Sequence, residues 1–117
     1  MSAFDEREKA FEAKYHLDEE LAFKVNARRD KLLGLWVAEL LGLNADQAAA
    51  YAKSVVEADL TDGAHGGAIK KVLTDLANKG VDVTEHKVLH QADLLAATAR
   101  AQIMDEVSTG KQTVTPE

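Results

Sequence analysis

The stretch DEELAFKVNARRDKLLGLWVAELLG, residues 18–42, decides the fold. It contains no proline, and its apolar residues recur at helical spacing. Leu21, Val25, Arg29, Leu32, Trp36 and Leu40 form one stripe, which Leu33 and Leu41 widen. Asp18 reads as an N-cap, with Glu19 and Glu20 in the first turn near the positive helix end. Gly42 reads as the residue that ends the helix. The stripe is thin from Asn26 to Lys31 and dense after Leu32, so the second half is expected to be the better packed. Trp36 is expected in the core. Gly34 costs helix stability unless a neighbouring helix comes close to it.

Three shorter amphipathic segments follow. Asn44 and Gln47 have capping-box spacing, and Ala48, Tyr51, Ala52, Val55, Val56 and Leu60 form the apolar face behind them. Ile69, Val72, Leu73 and Leu76 mark a third helix that ends at Gly80. A fourth starts near Asp82 or Thr84, with Val88, Leu89, Ala92, Leu95, Ala96, Ala99 and Ile103 on one face. The expected helices are 18–41, 45–60, 66–79 and 83–106, joined by short links. These features predict an all-α four-helix bundle over residues 18–107. Residues 108–117 have no apolar period and are expected to form a disordered tail.

The composition narrows the function. The chain has 117 residues, 46% of them hydrophobic, enough for one domain with a real core. It contains no cysteine, which excludes intrachain disulfides and thiolate metal sites. A net charge of −6 argues against nucleic acid as a partner. No secretory leader or bilayer-length apolar run is evident, so a cytoplasmic protein without direct membrane insertion is expected.

Residues 1–17 stand apart as a densely charged aromatic extension. On a helix, Phe4, Phe11 and Tyr15 lie near one face, with Arg7 and Lys14 on a flanking face. About twelve such residues are only marginally helical alone. They either close over the end of the bundle or stay loose and fold on a partner, where aromatics and arginines are the usual anchors.

Other constellations carry weaker chemistry. His86, His90 and Asp93 share a face but lack a further ligand, so polar surface is the expected role and no metal is assigned. Glu57, Asp59 and Asp62 cluster at the end of the second helix, where a salt bridge to Arg28 or Arg29 is expected rather than acid–base catalysis. The turn GAHGG, residues 63–67, lacks the phosphate-loop pattern.

Several stretches together resemble one family. They are FDERE near the start, N-x-R-R at 26–29, LLGLW-x-AELLG at 32–42, AAAYA at 48–52 and VVEAD at 55–59. The chain resembles the zeta subunit of alphaproteobacterial ATP synthases, the intrinsic inhibitor of F1, from about Phe4 to Glu106. The resemblance implies a regulatory protein, not an enzyme, monomeric when free. It implies a mobile N-terminal inhibitory arm, residues 1–17, that enters an alpha/beta catalytic interface of F1 near the central shaft and blocks ATP hydrolysis. Phe4, Arg7, Phe11, Lys14 and Tyr15 are then the partner-binding residues. The bound protein would sit at the cytoplasmic face of the inner membrane. Weak ADP or ATP binding is also implied, with His65, Lys70 and Lys71 as candidates beside the glycine-rich turn. The alternatives are a small helical adaptor and a nucleotide-binding regulatory protein.

Overall fold

The computed structural model describes residues 3–62 and 66–109, with side chains over 18–61 and 66–109. The elements are α1 (Ala3–Leu40), α2 (Ala45–Asp62), α3 (Gly67–Lys79) and α4 (Glu85–Ser108). The described residues contain no strand, and the architecture is the expected four-helix bundle.

Helix α1 does not start at Asp18 but at Ala3, and runs for 38 residues. The reason lies in what is missing. No glycine or proline interrupts residues 3–33, and Ala, Glu, Lys and Leu dominate. A capping residue stops mattering where the residues before it can carry the helix themselves. At 1.5 Å per residue α1 is about 57 Å long, close to the 65 Å long axis of the molecule. It is therefore long enough to outrun α2, at 18 residues, and α4, at 24.

The other helix ends follow their local signals. Gly42 takes φ 75°, which a side chain would oppose. Its N–H donates to the Glu39 carbonyl and that of Leu43 to Ala38, the paired bonds of a Schellman cap. Gly80 repeats the device at φ 77°, with Gly80 donating to Ala77 and Val81 to Leu76. Asn44 and Gln47 form the reciprocal capping box: Gln47 N–H to Asn44 Oδ1 at 2.8 Å, Asn44 N–H to Gln47 Oε1 at 3.1 Å. Thr84, not Asp82, caps α4, accepting from the Lys87 N–H at 3.1 Å.

The core joins all four helices: Leu33 and Val37, Val55, Ala68, Val72 and Leu76, Val88 and Ala92. On α1 the buried line is displaced from the expected stripe. It runs through Asp30, Leu33, Gly34, Val37 and Ala38, while Trp36 is half-buried against the core and Leu40 is exposed. α1 is the central helix, packed by α2 on one side and α4 on the other. Its buried arc is centred between two partners, where a single-face reading puts it one residue off. Leu60 and Leu89, expected on buried faces, are also exposed. Leu60 lies near the end of α2, and Leu89 faces away from the core that its neighbours Val88 and Ala92 join.

α2 and α4 both run antiparallel to α1. Gly34 faces Ala52 and Val55, while Arg29 reaches Asp59. Val88 and Ala92 share the cluster of Leu33 and Val37, while Arg28 reaches Gln102 and Glu106. The N-terminal part of α1 thus leaves the bundle past the C-terminal ends of both neighbours. A Cβ on Gly34 would stand 2.6 Å from the Ala52 Cα, so this glycine sets how closely α1 and α2 approach.

Candidate functional site

Where α1 departs from the bundle, three consecutive residues fix it. Arg28 lays its guanidinium across α4, with Nη1 and Nη2 at 2.7 and 2.9 Å from the two Glu106 carboxylate oxygens. Nη1 also donates to Gln102 Oε1 at 2.8 Å. Such a fork fixes direction as well as distance. Arg29 turns the other way, toward α2. Its Nη2 is 2.7 Å from Asp30 Oδ1 and 3.8 Å from Asp59 Oδ2. The cluster at the end of α2 therefore divides: Asp59 forms the expected bridge to Arg29, Glu57 is exposed, and the Asp62 side chain lies outside the described residues.

Asp30 is the buried member, with 2% of its surface exposed. Burial pushes its carboxyl up to about 7, and a hydrogen bond with the Asp59 carboxyl adds to the rise, while Arg29 opposes it. Asp59 also faces the first turn of α3, where the Ala68 N–H approaches its Oδ1 at 3.5 Å. One acid pair and one arginine thus join α1, α2 and the start of α3.

Above this polar joint the surface is apolar. Phe23 and Leu60 are each 58% exposed and border a depression of about 200 Å³ that reaches down to Asp30 and Asp59. Phe23 also walls a larger groove, about 490 Å³, that runs between α1 and α2. Neither Phe23 nor Asp30 stands out in the sequence as a site residue. Phe23 had a signal, an aromatic off the apolar stripe of an otherwise charged half-helix. Asp30 had none, because its burial depends on Asp59, distant in sequence.

The candidate arm residues Phe4, Arg7, Phe11, Lys14 and Tyr15 all belong to α1, and their side chains lie outside the described residues. His65 also lies outside them. Lys71 Nζ is 3.1 Å from Asp75 and sits 5.3 Å over the Tyr51 ring, whose hydroxyl donates to the same Asp75 at 2.7 Å. Burial and that bond push the Tyr51 hydroxyl well above the usual phenol range. Lys70 is exposed beside Glu57 and Thr61. His86, His90 and Asp93 are exposed, and no group of three metal-ligating side chains occurs among the described residues.

The family model of ATPase inhibitor subunit zeta matches residues 1–102. No curated protein matches the chain. A structure solved by solution NMR is 48% identical to it, covers 73% of this chain and 96% of its own, and superposes with a TM-score of 0.63.

Proposed function

The chain belongs to the family of ATPase inhibitor subunit zeta, and from that premise we propose that it blocks ATP hydrolysis by F1 through its N-terminal segment, inserted at an alpha/beta catalytic interface. The family carries the coarser part, an ATPase inhibitory role and association with F1-ATPase. The observation that supports the finer part is the course of α1, one unbroken helix from Ala3 into a segment held on two sides by Arg28 and Arg29.

Helix formation is costly to start and cheap to extend. Residues 3–17 continue a helix that the bundle already holds, so their ordering at an interface is propagation. Phe4, Phe11 and Tyr15 supply apolar area, and Arg7 and Lys14 meet acidic subunit surface. The bundle stays outside and keeps the arm at high effective concentration. A rigid helix wedged into one interface shape resists the rotation that would change that shape. Torque in the hydrolytic direction tightens the wedge; in the synthetic direction it loosens it. The role is regulatory, performed at the cytoplasmic face of the membrane that carries the synthase. No helix among the described residues is long and apolar enough to cross that membrane. Weak ADP or ATP binding near Lys70 is a secondary proposal, and Lys71 contributes less to it because Asp75 already balances its charge.

The test is turnover of F1-ATPase from the same organism with and without the purified chain. Hydrolysis falls while synthesis by the coupled enzyme persists. Unchanged hydrolysis at saturating protein rejects the reading and favours an adaptor that binds without inhibiting.

A further inference from the structure

The bundle is incomplete along one face. Among the described residues α2 and α4 flank α1 without packing on each other. Near Leu33 and Val37 the space is filled by α3, through Ala68, Val72 and Leu76. On another face of α1, from Phe23 to Leu35, a 490 Å³ groove stays open, and its lining draws on α1, α2 and Ile103 of α4. Its floor includes Ala27 and Ala49, small enough for another backbone to come close. One wall is Phe23, an aromatic ring left 58% exposed.

The charge around this groove is one-sided. Lys24, Arg28, Lys31 and Lys53 line it and no acid does, in a chain whose net charge is −6. Lys24 and Arg28 already have partners. Lys31 and Lys53 are exposed and have no ion pair among the described residues. From Phe23 to Leu35 the groove follows α1 for about 18 Å, or three helical turns. Its recessed shape suits a rod better than a flat surface.

We propose that this groove receives a helix of about three turns from a partner protein, small and apolar on one face and flanked by acidic side chains. The occupant completes the bundle as a fifth helix. Phe23 packs on its apolar face, and Lys31 and Lys53 meet its carboxylates. The site is separate from residues 3–17 and does not depend on how they act.

The probe is a 14-residue synthetic helical peptide with a Leu/Ala stripe flanked by glutamates, and a control with lysines in their place. Each is titrated into the ¹⁵N-labelled full chain. The glutamate peptide should shift the amides of Ala27, Ala52, Lys53 and Ile103 saturably, and the lysine peptide should not. Lys31→Glu with Lys53→Glu, both at exposed positions, should weaken binding about fivefold or more at unchanged melting temperature. Equal response to the two peptides, or none to either, overturns the proposal. The same shifts produced by phosphatidylglycerol vesicles, or by raising the protein concentration alone, assign the groove to lipid or to a second copy and also overturn it.

Discussion

Replacing Asp30 with asparagine should make the protein more stable at pH 8 and leave it no better at pH 5. The carboxyl is buried between α1 and α2, and its pKa rises from 3.8 to about 7. The folded chain therefore holds a proton here that the unfolded chain releases above about pH 4. The stabilisation from this proton is complete below pH 4 and is lost as pH rises through 7. A shift of about 3 units bounds the effect at about 4 kcal/mol; solvent and relaxation reduce that to about 2 kcal/mol. Asparagine cannot ionise, and its amide donates to Asp59 as the protonated acid does. Arg29, 3.8 Å from Asp59, keeps that carboxylate as its partner. The assay is urea unfolding of both proteins from pH 5 to 8, read as the difference between them so that other carboxylates cancel. The difference should grow with pH in favour of the variant and flatten above pH 8. A constant difference, or a variant less stable at pH 8, would mean that Asp30 stays ionised and that its bond to Arg29 dominates.

Three further substitutions probe the scaffold. Gly34→Ala puts a methyl 2.6 Å from the Ala52 backbone; overpacking should exceed the gain of about 1 kcal/mol in helix propensity and destabilise by about 1–3 kcal/mol in thermal melts. Arg28→Ala leaves Glu106 and Gln102 without the fork that orients α1 on α4; a loss of about 1–2 kcal/mol is expected, together with faster amide exchange in the last turns of α4. Tyr51→Phe removes the donor to Asp75 but leaves Lys71 paired with it, so a loss of about 1 kcal/mol in urea unfolding is expected.

Local chemistry accounts for what was legible in the sequence. The Asn44–Gln47 box and the glycines at 42 and 80 act through neighbours within five residues; the box starts α2 and the glycines end α1 and α3 where expected. The faces of α3 and α4 follow simple periodicity, with Val72, Leu76, Val88, Ala92, Ala99 and Ile103 buried. The start of α1 was not legible, because an acidic cap at Asp18 looks the same whether or not a competent helix precedes it. The central position of α1 was not legible either, and it moved the buried line from Leu32 and Trp36 to Leu33 and Val37. At the site, the pairing of Asp59 with Arg29 was within reach, since a short link makes α1 and α2 antiparallel neighbours. The burial of Asp30 beside them is set by the packing of several helices, which no single segment encodes, whereas Phe23 stood off the apolar stripe of its own helix.

In the proposed mechanism, aromatic side chains ahead of Asp18, carried on the unbroken α1, stop F1. Its most direct test is inhibition of F1-ATPase by the full chain carrying Phe4→Ala, Phe11→Ala and Tyr15→Ala, compared with the unaltered chain at equal concentration. Inhibition is expected to weaken tenfold or more (about 1.4 kcal/mol or more) with the melting temperature of the bundle preserved. Full inhibition by the altered chain would contradict it.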